Sequence, residues 1–455
     1  MRTTGRRALA LVDLGMALGA AAAASGLLLL RRRDRADRRG HAARRLLVFD
    51  AAYSLAVVRR RGIEESLLAR SLDGWFEAVW SVNPLVGADP ADPAGGVGAI
   101  EVTELGRGHC VWEGRVARWR RLASLPLTNF VLAQAELILR LGRLIRREGI
   151  AAIRAGDPYY LGLVGLVLAR RYRIPLVVRV NGNYDSIYAT TGRIAYPRLF
   201  RRRWIEKRID HLVLSRADFV AGANRDNLDF ALRNGADPVR SAVFPYGNLI
   251  AAAHWSDPRA RARPRDVPAG PYLAWVGRLE LIKHPDDVVE VARRVRERLP
   301  HVRAVLVGTG SLMEGLEEQL EASGLGEAVV LAGERDQSWI AGLMANASVI
   351  LSPMTGRALV EAALSARPIV AYDVEWHAEI IRDGVTGVLV PYRDAEAMAE
   401  AAIGLISDPA EADRIGRAAR ADAEERMDPA ALAAKEIEIY DRLIPSPVGS
   451  SAAEA

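Results

Sequence analysis

The chain has 455 residues, half of them hydrophobic and 6% aromatic, enough for two domains with large aliphatic cores. Its net charge of +6 is confined to the N-terminus: residues 1–45 carry 11 Arg against Asp13, Asp34 and Asp37, and the remainder sits near −2, so charge gives no argument for nucleic acid. The single cysteine, Cys110, excludes an intramolecular disulfide and any paired-cysteine metal or redox motif, and it fits a reducing compartment.

In chain order, the first feature is Ala8–Leu30, 23 residues broken only by Asp13 and flanked by arginines. As a helix it would reach roughly 34 Å, the thickness of a bilayer's hydrocarbon core. Arg31, Arg32, Arg33, Arg35, Arg38 and Arg39 outnumber the three arginines before it, so a signal anchor would leave the rest of the chain on the cytoplasmic side. The alternatives are a non-inserted tail and a signal peptide cleaved after the Ala20–Ala24 run. The expectation is an N-terminal hydrophobic helix, residues 1–40 with the Arg-rich flank, placing the protein at the membrane.

RLLVFD (45–50) then reads as a buried strand and 51–62 as a helix. Strands recur at 151–156, 175–182, 218–223 and 241–247, with helical patterns over 131–149, 161–173 and 194–217 between them. Such alternation implies a doubly wound parallel sheet of α/β class. Polar residues at strand C-terminal ends face the crevice of such a sheet. Asp157, Asn181, Asn183 and Asp185 are therefore candidates to line that crevice, with turn-forming side chains that bond their own backbone as the plainer alternative. Tyr196, Phe200 and Trp204 recur every four residues among arginines, which reads as a surface helix with its aromatics on the sheet or as an interfacial helix on anionic lipid.

After a linker at 251–270, YLAWV (272–276) reads as a strand that ends in Gly277 and presents Arg278 and Lys283. Gly308 and Gly310 follow the strand AVLV, and Gly356, Ala358 and Leu359 open a helix that carries Glu361. Cations at a strand end and amides at a helix start suit a nucleoside diphosphate, and Glu361 suits ribose hydroxyls. His377, in the unusual Glu375-Trp376-His377, is a candidate to approach this site, with a loop role as its alternative. No metal-ligand spacing stands out, so the diphosphate charge is expected to be met by side chains, with no cofactor.

The stretches VGRLELIK (276–283), AVLVGTGSL (304–312), VVLAGE (329–334), ALVEAALSARPIVAYD (358–373) and AEIIRDGVTGVLVP (378–391) together resemble the C-terminal domain of family-4-type glycosyltransferases. The resemblance implies the GT-B architecture, two Rossmann-like domains facing a cleft: 41–250 for the acceptor, 271–430 for the donor, a helix at 431–446 crossing back and a tail at 447–455. It implies transfer of a sugar, with retention, from a nucleoside diphosphate sugar to a glycan or lipid-linked acceptor. The resemblance puts diphosphate binding and catalysis on Arg278 and Lys283 and ribose binding on Glu361, and it places the nucleotide base near Glu334 and Arg335. Where the family's first Glu of the E-x7-E pattern stands, this chain has Pro353. That departure keeps a second reading open, a non-catalytic nucleotide-sugar-binding or assembly subunit of an envelope polysaccharide system.

Overall fold

The computed structural model describes residues 10, 12–23, 25, 43–88, 94–196, 199–200, 202–245, 250–374 and 376–444. The Arg-rich flank after residue 30, Arg198, Arg201, Glu375 and the tail from 447 lie outside them.

Two sheets organise the chain. The first holds β1 (Arg45–Phe49), β2 (Ala78–Val86), β3 (Glu101–Gly106), β4 (His109–Arg115), β5 (Ala152–Ala155), β6 (Leu176–Val180), β7 (Phe219–Gly222) and β8 (Ser241–Val243). Their order is β3-β4-β2-β1-β5-β6-β7-β8, and only the β3–β4 pair is antiparallel. The second holds β9 (Tyr272–Val276), β10 (Arg303–Val307), β11 (Val329–Leu331), β12 (Val349–Ser352), β13 (Ile369–Tyr372) and β14 (Val388–Val390). These run in the order β11-β10-β9-β12-β13-β14, all parallel. Both sheets are doubly wound, and each reverses strand order once, beside β1/β5 and beside β9/β12. Such a reversal opens a crevice at the strands' C-terminal ends.

Alternation along β9 shows why the second sheet needs cover on both faces. Leu273 and Trp275 belong to one core cluster and Tyr272 and Ala274 to another. The first sheet is completed from far along the chain. Helix Pro429–Leu443 returns to it, and Ala433, Ile439 and Tyr440 pack with Leu46, Val48, Val177 and Phe219. Tyr440 stands 4.9 Å, centroid to centroid, from Phe76. On the same helix Glu436 reaches Arg154 at 2.7 Å and Arg179 at 3.8 Å, both buried on β5 and β6. The segment before β9 is no free tether: Val267 joins the core beneath the second sheet, and His254 Nε2 lies 3.0 Å from Gln337 Oε1.

The expected N-terminal anchor is corrected. Among the described residues no helix is long and apolar enough to cross a membrane. Residues 12–23 are helical, but Asp13 is buried rather than drawn to a bilayer interface. Its carboxylate accepts from the amides of Leu127 and Thr128 at 2.9 and 2.8 Å, capping helix Pro126–Glu148 from a distant part of the chain. A second correction concerns 194–217. The helix there begins only at Arg203, and a separate helix, Tyr184–Thr191, ends at Gly192 in the left-handed region. Tyr196 and Phe200 therefore lie outside the helix that carries Trp204, and Trp204 is exposed instead of packed on the sheet.

Candidate active site

The second sheet's crevice collects the donor-side candidates on adjacent strand ends. Gly277, Arg278 and Lys283 follow β9; Gly308 and Gly310 follow β10; Glu334 and Arg335 follow β11; Gly356, Ala358, Leu359 and Glu361 follow β12. Since β11, β10, β9 and β12 are successive neighbours, the sheet order itself brings these segments side by side.

The glycines let the first two segments touch. Gly308 has φ +137, and a Cβ there would stand 1.8 Å from the Gly277 carbonyl oxygen. A Cβ on Gly310 would meet the Leu279 oxygen at 2.2 Å. The loop after β9 is then knitted to the loop after β10: Gly277 N–H donates to Val307 O, and Leu279 N–H to Thr309 O, both at 3.0 Å. Glu280 completes the joint, accepting from Ser311 N–H at 3.0 Å and Ser311 Oγ at 2.8 Å. Burial opposes its ionisation, yet these bonds hold the carboxyl below the usual range. Arg278 stands exposed on this rigid joint, and Lys283 closes the turn that leads into helix Pro285–Arg298.

Glu361 is buried on helix Ala358–Ala363 and accepts from Arg357 Nε at 2.9 Å. That partner stands one turn back on the same segment, an i,i+4 spacing that the sequence itself displays. Gly356 has open space where a Cβ would be.

Glu334 and Arg335, at the outer strand of this group, are engaged by other side chains and backbone. Glu334 receives Arg60 Nε at 2.7 Å and Arg61 Nε at 2.5 Å from the first sheet's side, so it spans the two domains. Arg335 donates to Ala332 O at 2.9 Å and pairs with Asp266 at 2.8 Å.

On the facing sheet, three of the four acceptor candidates are engaged internally. Asp157 accepts from Tyr159 N–H at 2.7 Å and from the Tyr196 hydroxyl, and burial pushes its carboxyl up to about 6. Asn183 caps helix Tyr184–Thr191 through Ser186 N–H and donates to Asp226 at 2.9 Å. Asp185 pairs with Arg203 and Lys207 and accepts from Asn234. Asn181 alone of the four is exposed, with a 3.2 Å bond to Gly156 O. Residues not foreseen also reach the cleft. Helix Tyr184–Thr191 packs on the Leu281–Lys283 turn, and Arg193 approaches Glu280 at 3.9 Å.

Two glycosyltransferase families cover these two halves: "Glycosyl transferase 4-like domain" matches residues 55–247 and "Glycosyl transferases group 1" matches residues 270–408. The chain belongs to the family-4-type glycosyltransferases. This glycosyltransferase is 25% identical over 303 residues to a glycogen synthase of Mycobacterium tuberculosis, covering 64% of this chain and 70% of the relative. It is 26% identical to the alpha-D-kanosaminyltransferase of Streptomyces kanamyceticus, covering 64% and 80% of the two chains. Among solved structures, sucrose-phosphate synthase from Thermosynechococcus elongatus superposes with a TM-score of 0.66 at 18% identity, over 88% of this chain and 99% of that one. HepE of Anabaena, in complex with UDP and glucose, superposes with a TM-score of 0.63, also at 18% identity, over 88% and 100%. Both structures share the GT-B fold with this transferase, and the reading as a non-catalytic subunit gains no support.

Proposed function

We propose that this glycosyltransferase moves a glycosyl group from a nucleoside diphosphate sugar to a hydroxyl of a glycan or lipid-linked acceptor, with retention of anomeric configuration. One observation carries the donor assignment: four adjacent strand ends converge at the second sheet's switch point, with Arg278 and Lys283 on a loop fixed by Gly308 and Gly310. A diphosphate laid across that edge meets two cations and the amides around Gly356–Leu359. Arg278 and Lys283 stabilise the charge that builds on the leaving diphosphate, which we assign to side chains rather than to a metal ion. Preorganised groups of this kind are each worth about 10²–10³ in rate. Glu361, turned off Arg357 or shared with it, takes ribose hydroxyls. The acceptor oxygen bonds to the anomeric carbon on the face from which the diphosphate departs, and a phosphate oxygen of the leaving group takes the hydroxyl proton.

HepE, which shares this fold, is in complex with UDP and glucose, and that supports a nucleotide-sugar donor here. Asn181, at the first sheet's crevice edge, is the acceptor-side residue with a side chain still presented. We assign the reaction to the cytoplasm, and a lipid-linked acceptor would bring the exposed Arg193, Arg202, Trp204 and Arg208 to a membrane surface. Cosedimentation with anionic vesicles tests that placement, and protein left wholly in the supernatant removes it. For the donor site, calorimetry with UDP and GDP on the wild type and on Arg278→Ala decides. Binding of one nucleotide, weakened at least tenfold by the substitution, is expected. Equal affinity in both proteins would refute the assignment. Turnover unchanged by a chelator is expected from the metal-free reading.

A further inference from the structure

The turn after β13 carries none of the groups assigned to donor or acceptor, yet it touches both halves of the molecule. Trp376, His377 and Ile380 are buried there, on and beside the single helical turn His377–Ile380. His377 Nδ1 lies 2.9 Å from the Tyr372 carbonyl, so Nδ1 carries a proton and donates it. Nε2 lies 3.3 Å from both the amide and the carbonyl of Thr355, and in the ring protonated only at Nδ1 it accepts from the amide. Through this ring the end of β13 is tied to the loop between β12 and helix Ala358–Ala363, the loop that holds Gly356. Burial lowers the pKa of this imidazole and so favours the neutral ring, and nearby Lys283 acts in the same direction, against Asp373 and the Tyr372 and Thr355 carbonyls.

Two residues on, Glu379 faces the other way. Its two carboxylate oxygens accept from Arg225 N–H at 2.8 and 3.0 Å, and the Asp226 amide bonds it as well. Arg225 and Asp226 open helix Arg225–Arg233, which packs on β7 of the first sheet. A carboxylate from one domain thus sits at the start of a helix of the other, where orphan amides bond it even though burial raises its pKa. One turn of helix cannot shift at His377 without shifting at Glu379, because buried residues pin it on both sides.

We infer that residues 376–381 couple the donor loop to docking of the two domains. His377 is a positioning residue that sets the Thr355–Gly356 segment, and Glu379 makes that setting depend on the first domain being in place. The inference rests on the reading that this segment faces the donor diphosphate, and the test separates the two.

The full chain is titrated with UDP and GDP, and its radius of gyration is measured by X-ray scattering with and without the nucleotide that binds. Two variants at one position divide the ring's two bonds. His377→Asn keeps a donor near Nδ1 and loses the acceptor, while His377→Gln keeps an acceptor near Nε2. We expect about tenfold weaker nucleotide binding in His377→Asn and less than about threefold in His377→Gln. Glu379→Ala should weaken binding by about fivefold, at the low end of ordinary coupling between sites, and lose the compaction that nucleotide produces in the wild type. Because both residues act through one turn, the double variant His377→Asn/Glu379→Ala should bind within about twofold of the weaker single variant. Multiplying effects, equal binding by both His377 variants, or full compaction in Glu379→Ala would each overturn the coupling while leaving the donor site standing. A folded wild type that binds neither nucleotide, or an Arg278→Ala that binds like wild type, would instead remove the donor reading and this inference with it.

Discussion

The crevice edges of the two sheets share a topology and differ in how their polar residues are used. At the first sheet's switch point, Asp50 is paired with buried Arg70, and Asp157 is held by Tyr196 and the Tyr159 amide. At the second, the glycines at 308 and 310 allow two loops to lie against each other, and the joint lifts Arg278 into the open. One edge engages its charges in holding itself together, and the other is held by backbone bonds and the Glu280 carboxylate and leaves Arg278 exposed. Polar residues at a strand end therefore mark a functional edge only when something else satisfies the backbone around them.

The largest effect should come from the first domain's internal charges. Replacing Glu436 with Ala leaves Arg154 buried without its carboxylate, and breaking such a pair costs about 3–5 kcal/mol. Urea unfolding measures it. A loss under about 1 kcal/mol would erase the contrast, since the charges at that edge would then be free for other work. Next come Arg278→Ala and Lys283→Ala, each expected to lower turnover by about 10²–10³ with no change in thermal midpoint. A large drop in midpoint would make these residues structural like those opposite.

A third effect depends on pH. His109, buried and bonded to Ser81, has its pKa lowered to about 3 by burial and by Arg70 and Arg154. The unfolded chain's histidine titrates near 6.5. Its contribution to stability is therefore complete above pH 6.5 and declines as the pH falls from 6.5 toward 3. His109→Gln should flatten that part of the stability-versus-pH curve, and an unchanged curve would count against a neutral, buried ring. The smallest effect is expected at Glu334. Its partners Arg60 and Arg61 are partly solvated, with side chains 54% and 26% exposed, so Glu334→Ala should cost about 0–1 kcal/mol and less at high salt.

Much of the parallel framework was legible because strands covered on both faces read as apolar runs: LLVF, LVVRV and YLAWV all became strands. The β2–β3–β4 region was not foreseen. The pairing of β2 with β4 shifts register after Asn83, where Pro84 stands, and β3 is an antiparallel edge strand whose exposed residues alternate with half-buried ones. On the donor side, the order of Gly277, Arg278, Lys283, Gly308 and Gly310 sufficed, because their close approach follows from strand adjacency. Glu334 shows where that reasoning stops. Its partner Arg61 lies 273 residues earlier, and no local pattern announces the bond. Asn183 and Asp185 illustrate the same limit from the other side, since their caps and ion pairs look in sequence like available polar groups. Asp13 misled for a related reason: within an apolar stretch it read as a tolerated flaw, whereas it serves a helix more than 110 residues away.

The returning helix also bears on how the protein is made. Arg154 leaves the ribosome 282 residues before Glu436. At about 5–20 residues per second, roughly 14–56 s pass between them. Leu46 and Val48 throughout that interval, and Val177 and Phe219 from their own synthesis on, lack the cover that Ala433, Ile439 and Tyr440 later give them. The second sheet waits for a shorter stretch of chain: Leu273 and Trp275 are covered in part by Met398, Ala402 and Ile415, from helices that follow its last strand directly. The half synthesised first is thus the half finished last, and its nascent form carries an open apolar face beside a buried arginine still waiting for its counter-charge.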